Sequence, residues 1–176
     1  MKRCFVSLEV PSEVREKTSE IQRRLPDFKG KVTEFENIHL TLKFLGEISD
    51  EKIEEVKSSL REVGSSSFEV SIDDIGVFSK NYVRIIWLHL ANCEEIQKKV
   101  DEVLEKAGFE KERRFMSHVT IARVKGLKIS KEEFLKELRK VKIPSIKFNA
   151  KKFSLVKSEL FKEGPRYETL ESYNLD

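Results

Sequence analysis

The feature that most constrains this sequence is a short motif, beginning with histidine, that occurs twice. His-Leu-Thr-Leu occupies residues 39–42, and His-Val-Thr-Ile, at residues 118–121, begins 79 residues later. Each copy is followed by a glycine and then by a serine that can cap an amphipathic helix. The offset is too long for a solenoid repeat, so the sequence indicates a duplicated strand–helix unit.

Apolar periodicity predicts strands and helices along the whole chain. Strands are predicted at 2–10, 39–44, 68–78, 82–90, 118–124, 146–155 and 167–175. Helices are predicted after Pro11, from Ser49 or Asp50 to Gly64, around Ile96–Leu104 and after Ser130, where Glu133 completes a capping-box pattern. Turns are predicted around Gly30 and at 79–81, the latter joining a hairpin.

These elements predict an α+β fold with a bilobal shape. We expect two pseudo-symmetric duplicated strand–helix units, with antiparallel sheets, around a central cleft. Residues 1–176 contain no low-complexity linker, so we expect a single domain of two lobes.

Composition limits the environment and the partners of the chain. Charged residues make up 37% of the sequence, with Lys and Glu dominant, which is typical of proteins from hot environments. The net charge of +3 permits an anionic substrate, and no Lys/Arg run is long enough for a nucleic-acid-binding tail. Two isolated cysteines, no signal peptide and no long apolar run predict a cytoplasmic protein without disulfides or a membrane span. A monomer is the default expectation.

The alternation of strand side chains places the histidines beside hydroxyl groups. In the first motif, His39, Thr41 and Lys43 should share one face, with apolar residues on the other face. In the second motif, His118 and Thr120 should share a face. A single His-x-Thr is most simply a structural histidine, but its repetition in matching apolar contexts favours a functional role.

Two histidines on opposite sides of a cleft supply the groups needed to open a cyclic phosphodiester. One imidazole can take a proton from the attacking water while the other protonates the leaving oxygen, each contributing roughly 10²–10⁴-fold. The hydroxyls of Thr41 and Thr120 can donate hydrogen bonds to phosphate oxygens. We therefore predict His39 and His118 as catalytic residues, and the scheme needs no cofactor or metal. The near-identical motifs leave open which histidine is the acid.

Other residues carry weaker expectations. His89 has no threonine partner and is interpreted as structural, and the three histidines lack the short spacing of a metal site. Lys43 could meet a phosphate or be a solvated rim residue, and Arg123 has the opposite strand parity to His118. Three phenylalanines could stack a base, although core packing is the default for each: Phe44, Phe115 and Phe153.

The motifs with their flanks resemble a known family. Residues 37–47, Asn-Ile-His-Leu-Thr-Leu-Lys-Phe-Leu-Gly-Glu, closely resemble the first HxTx motif of the RNA 2′,3′-cyclic phosphodiesterases, formerly called 2′-5′ RNA ligases, of the 2H phosphoesterase superfamily. Residues 117–123, Ser-His-Val-Thr-Ile-Ala-Arg, resemble the second motif. The opening strand before Pro11 and the segments 153–160 and 164–168 are similar to the start and the C-terminal block of the family. The resemblance spans nearly the whole chain.

The resemblance implies a bilobal α+β fold and hydrolysis of an RNA 2′,3′-cyclic phosphate end to a 2′-phosphate. It implies that His39 is the proton donor to the leaving 3′ oxygen and His118 the proton acceptor that activates water. Thr41 and Thr120 would hold the phosphate. In reverse, such an enzyme joins RNA ends through a 2′-5′ linkage.

One departure and two alternatives accompany this interpretation. The family often has proline before the second histidine, where this chain has Ser117, which can change backbone rigidity but leaves the chemical groups in place. One alternative is a non-catalytic RNA- or nucleotide-binding module on the same scaffold. The other is a phosphodiesterase for another cyclic phosphate or for an oligonucleotide linkage. The sequence does not identify the physiological RNA.

Overall fold

A computed structural model describes residues 1–79 and 81–176 and contains four helices and nine strands within that part of the chain. The helices are α1 (Ser12–Arg23), α2 (Asp50–Leu60), α3 (Glu94–Lys106) and α4 (Lys131–Arg139), and a 3-10 turn covers Phe35–Asn37. The strands are β1 (Lys2–Leu8), β2 (Phe28–Val32), β3 (Leu40–Ile48), β4 (Phe68–Ser79), β5 (Val83–Ala91), β6 (His118–Leu127), β7 (Ile146–Ala150), β8 (Lys152–Phe161) and β9 (Gly164–Asn174).

The strands form one antiparallel sheet that divides into two lobes. Its order is β7-β4-β5-β6-β3-β1-β8-β9, with β2 added on β6. We call β3, β1, β8 and β9 the β1 lobe, and β7, β4, β5, β6 and β2 the β5 lobe. In the described residues, β3 and β6 are joined through one residue pair, Leu40 with Val119. The predicted bilobal α+β fold is confirmed, and the two motif strands meet where the lobes join.

Two helices pack across the boundary between the lobes. Helix α1 follows β1 but contacts β6 and β7 of the β5 lobe, whereas α3 follows β5 but contacts β3 and α2. Each places an apolar stripe in the core, with Val14 and Ile21 on α1 and Val100 and Leu104 on α3. Because each of these two helices packs on the lobe that it does not follow in the chain, the two lobes share a continuous core.

The predicted serine caps are confirmed at both helices that follow the motif strands. Ser49 Oγ accepts a hydrogen bond from the Lys52 N–H at 3.2 Å, and Ser130 Oγ accepts one from the Glu133 N–H at 3.1 Å. Such a cap contributes about 1 kcal/mol. Helix α2 already ends at Leu60, before the expected Gly64. No helix in the described residues is both long and apolar enough to cross a membrane.

The structure corrects two expectations about secondary structure and leaves a third untested. The segment around Gly30, expected as a turn, is strand β2, and a Cβ at Gly30 would collide with the Arg123 carbonyl oxygen of β6. The strand expected at 146–155 divides at Lys151 into β7 and β8, which pair with β4 and with β1 and β9, respectively. The turn expected at 79–81 includes Lys80, which lies outside the described residues.

Candidate active site

Both motif strands contain a β-bulge at the fourth residue of the motif. On β3, Thr41 pairs with Ser7 and Lys43 pairs with Val6, which leaves Leu42 without a partner on β1. On β6, Thr120 pairs with Trp87 and Ala122 with Ile86, which leaves Ile121 without a partner on β5. A bulge inserts one residue and so reverses the side-chain alternation beyond it. The duplicated unit therefore carries the same backbone irregularity in both lobes.

Beyond each bulge, the side chains that face the cleft are the ones that regular strand alternation assigned to the opposite face. Lys43, expected on the face of His39, is 5% exposed and forms an ion pair with the buried Asp101 of α3. It is neither a phosphate ligand nor a rim residue. Phe44, for which core packing was the default, is 71% exposed and lines the cleft. Arg123 lies at the corresponding position of β6 and also lines the cleft.

His39 is anchored so that its Nε2 faces the cleft. Its Nδ1–H donates to the Asn37 carbonyl oxygen at 2.7 Å, which fixes the tautomer because a carbonyl can only accept. Nε2 lies 2.9 Å from Thr41 Oγ1. The ring packs against Phe5, with centroids 4.9 Å apart, and edge-on against Tyr167 at 5.2 Å.

His118 is anchored in the same way from the other lobe. Its Nδ1–H donates to the Met116 carbonyl oxygen at 2.8 Å, again two residues before the histidine. Its ring meets Phe78 edge-on, with centroids 4.9 Å apart. The hydrogen bond leaves Nε2 as the nitrogen available for proton transfer, and the imidazole lines the same cleft as His39.

The join between the lobes brings the two motifs together. Antiparallel pairing continued from Leu40 and Val119 places Thr120 beside His39 and His118 beside Thr41. The histidines are then diagonal neighbours, with Cα atoms roughly 7–8 Å apart. All four predicted site residues line one cleft of about 570 Å³. A phosphate group can therefore sit between the two imidazoles.

Burial lowers the pKa of both imidazoles. Desolvation among the aromatic rings lowers the pKa of His39 to about 4, and the nearby positive charges act in the same direction, against the hydrogen bond to Asn37. Desolvation also lowers the pKa of His118, while the hydrogen bond to Met116 raises it. Both imidazoles are therefore neutral near pH 7 without a bound anion, and each can act as a base through Nε2.

Two buried amides behind the cleft were not identified from the sequence. Gln22 of α1 donates from Nε2 to the carbonyl oxygens of Thr33 and Ile121, both at 2.9 Å, and so holds the bulge of β6. Asn37 donates from Nδ2 to the Pro165 carbonyl oxygen at 3.0 Å, which joins the start of the first motif to β9. Buried Gln and Asn normally have such partners, but sequence spacing does not reveal which.

The remaining sequence expectations lie outside the cleft. His89 stands opposite His118 across the β5–β6 pairing, but its Nδ1 lies 2.5 Å from Asp73 Oδ1 and it does not line the cleft. Ser117 is buried next to the second histidine. The core default is correct for Phe153, which is fully buried, and Phe115 is partly buried against the core. In the described residues, no group of three His, Cys, Asp or Glu is arranged to hold a metal ion.

Comparison with known proteins agrees with this fold. The model of the LigT-like phosphoesterase family matches residues 8–87 and 90–167. A Methanocaldococcus jannaschii protein named RNA 2′,3′-cyclic phosphodiesterase is 34% identical, covering 97% of this chain and 99% of its own length. A protein of that name from Methanothermobacter thermautotrophicus is also 34% identical, with 98% of each chain covered. The crystal structure of Escherichia coli LigT complexed with 3′-AMP superposes with a TM-score of 0.80 and 23% identity, covering 99% and 98% of the two chains.

A bilobal antiparallel sheet with one anchored histidine from each lobe defines a phosphoesterase of the two-histidine class. The chain belongs to the LigT-like phosphoesterase family. The prediction that it is an enzyme acting on phosphate diesters is confirmed at the level of this family.

Proposed function

We propose that this chain hydrolyses 2′,3′-cyclic phosphate ends of RNA to 2′-phosphomonoesters, with His39 as general acid and His118 as general base. The observation that carries the proposal is the matched anchoring of the two imidazoles, which points both Nε2 atoms into one cleft. The names of relatives about one-third identical over nearly their full length support the choice of substrate.

In the proposed reaction, one bond to phosphorus forms as another breaks. His118 Nε2 takes a proton from water while the water oxygen attacks the phosphorus atom. The bond from phosphorus to the 3′ oxygen breaks, and that oxygen takes the proton carried by His39 Nε2. The products are a 2′-phosphate and a 3′-hydroxyl, and no metal ion is needed because each proton transfer has its own imidazole.

The other polar residues of the cleft stabilise the charge on phosphorus. Thr41 and Thr120 donate hydrogen bonds from their hydroxyls to the non-bridging oxygens, and the exposed Arg123 neutralises their charge. Thr41 Oγ1 lies 2.9 Å from His39 Nε2, so this hydroxyl is placed beside the proposed acid.

The acid role of His39 requires that its pKa rise when substrate binds. Its pKa of about 4 keeps it neutral near pH 7 before substrate binds. The negative charge of the cyclic phosphate favours the imidazolium form, so substrate binding itself promotes protonation. The bound cyclic phosphate therefore favours the protonated form of His39 that the acid role requires.

The same step can join RNA ends. If the 5′-hydroxyl of a second RNA replaces water as the nucleophile, loss of the 3′ oxygen leaves a 2′-5′ phosphodiester. All groups of the proposed site come from one chain, which is consistent with a monomer. The buried, unpaired thiols Cys4 and Cys93 are consistent with a reducing cytoplasm.

The reaction is tested by turnover of a short RNA ending in a 2′,3′-cyclic phosphate, in EDTA, with the product ends mapped. Formation of a 2′-phosphate supports the reaction class, its regiochemistry and its independence of metal. Binding without conversion across pH 5–9 would instead favour a nucleotide-binding module on this scaffold. Conversion of other cyclic phosphates alone would reassign the substrate.

The assignment of acid and base is tested with a substrate whose 3′ oxygen is replaced by sulfur. A thiolate leaves without protonation, so His39→Asn should lose far less activity on this substrate than on the oxygen substrate. His118→Asn should remain impaired on both, because water still needs a base. The opposite pattern would exchange the two roles.

A further inference from the structure

The cleft holds more positive charge than one phosphodiester requires. Five basic and two acidic side chains line it, a net charge of +3, which equals the formal net charge of the whole chain. The basic residues are Arg3, Lys31, Arg123, Lys125 and Lys162. Lys31 forms an ion pair with Glu34, but none of the other four forms one among the described residues. A single cyclic phosphate has one negative charge, so the remaining cations have no partner in the proposed reaction.

Two of these cations are spaced along one strand. Arg123 and Lys125 are exposed and line the cleft, with the buried Val124 between them pointing into the core. Lys125 is the extra residue of a bulge opposite Lys29 and Gly30 of β2, and two residues of an extended strand advance by at most roughly 7 Å. That distance is comparable to the separation of neighbouring phosphates along a nucleic-acid strand. If Arg123 neutralises the reacting phosphate, Lys125 lies one phosphate further along the chain.

The opposite wall of the cleft, from the β1 lobe, carries two exposed apolar side chains besides the cations Arg3 and Lys162. Phe44 and Leu160 of the β1 lobe are 71% and 70% exposed, and both line the cleft opposite the basic strand β6 of the β5 lobe. Exposed apolar side chains beside a phosphate site are suited to contact nucleobases, because every base presents an apolar face. Phe44 and Leu160 are therefore suited to contact the bases of an RNA strand whose phosphates follow Arg123 and Lys125 on β6.

We infer that Lys125 forms a second phosphate subsite, which binds the phosphate on the 5′ side of the terminal nucleotide. A terminal 2′,3′-cyclic phosphate has chain only on its 5′ side, so this phosphate is the neighbour that a substrate chain must supply. The inference rests on the proposed function and makes it more specific. The enzyme selects RNA chain ends over free cyclic mononucleotides.

The test compares kcat/KM for adenosine 2′,3′-cyclic phosphate and for the same nucleotide carrying a 5′-methyl phosphodiester. The wild-type protein should prefer the second substrate by about fivefold to tenfold, the size of one exposed charge-assisted contact. The preference should fall as salt is raised, because exposed charges are screened. Lys125→Gln should reduce the ratio to about one while leaving hydrolysis of the free cyclic nucleotide unchanged.

Lys128→Gln is the matched control, since it removes the same charge nearby from a lysine that pairs with Asp27 and does not line the cleft. It should keep the preference. Equal kcat/KM for both substrates in the wild type, or a preference that survives Lys125→Gln, would overturn the subsite. Failure to hydrolyse either substrate would instead count against the proposed function, so the two failures are distinguishable.

Discussion

Replacing Lys43 by methionine should cost stability and leave catalysis nearly intact. The Lys43 and Asp101 side chains are 5% and 3% exposed. Lys43 Nζ also donates to the Glu110 carbonyl oxygen at 2.5 Å, and Asp101 Oδ2 accepts from the Glu112 N–H at 2.8 Å. Lys43→Met keeps most of the side-chain volume but leaves the Asp101 carboxylate buried without its cation.

The size of the effect follows from the burial of the pair. Removal of one partner of a buried ion pair costs about 3–5 kcal/mol. In a chain of this length each kcal/mol lowers Tm by about 2–4 °C, so Tm should fall by roughly 6–20 °C. The double variant Lys43→Met/Asp101→Leu should lose less than Lys43→Met alone, because no uncompensated charge remains.

Urea and thermal denaturation measure the stability, with Lys140→Met as the control. The exposed pair of Lys140 with Glu137 should contribute less than about 1 kcal/mol. At a temperature where Lys43→Met is folded, its KM should stay within about twofold of the wild type. A Lys43→Met protein with unchanged Tm and a strongly raised KM would refute the reasoning, because it would show that Lys43 reaches the substrate.

Three further predictions concern the histidines and their support. The pH profile of kcat/KM should be bell-shaped with its maximum on the acid side of neutrality, because the pKa of His39 is about 4 and the pKa of His118 is also lowered. The maximum of kcat should lie at higher pH, since bound phosphate raises both pKa values. A maximum of kcat/KM above pH 8 would contradict this prediction. The free energy of unfolding should fall as pH drops from about 6.5 towards 4, because His39 takes up a proton in the unfolded chain at a higher pH than in the folded protein. Denaturation of His39→Asn at several pH values should show a smaller dependence of the free energy of unfolding on pH. An unchanged dependence would exclude the buried imidazole as its source. Gln22→Met should lower kcat/KM about tenfold in the otherwise wild-type protein but by less in an Arg123→Ala background, because the Gln22 amide positions Arg123 by holding the bulge of β6. The control Gln97→Met should leave kcat/KM unchanged, since Gln97 Nε2 has no hydrogen-bond partner among the described residues. Equal losses in both backgrounds would assign Gln22 a general structural role.

The sequence was sufficient to predict the strands, helices and caps that are determined by neighbouring residues. Apolar alternation and periodicity located both motif strands and all four helices, and Ser49 and Ser130 cap their helices as expected. The repeat of the motif led correctly to two lobes that bring His39 and His118 to one cleft. Each strand, helix and cap is encoded within a few neighbouring residues, and the repeat is recognised because each copy of its motif is equally local.

The failures arise where a distant partner decides the structure. No local pattern marks the bulges at Leu42 and Ile121, because a bulge is defined by the register of the neighbouring strand. The alternation rule therefore placed Lys43 in the cleft and Phe44 in the core, the reverse of what is observed. Strand β2 was missed because its glycine and exposed side chains lack a strand pattern, and pairing with β6 forms it.

Comparison of three histidine variants tests the central claim most directly. His39→Asn and His118→Asn remove the two cleft imidazoles, and His89→Asn removes the histidine that pairs with Asp73 outside the cleft. With an RNA ending in a 2′,3′-cyclic phosphate, kcat should fall by about 10²–10⁴-fold in each of the first two variants and remain near the wild-type value in the third. Wild-type turnover by folded His39→Asn and His118→Asn proteins would contradict the account.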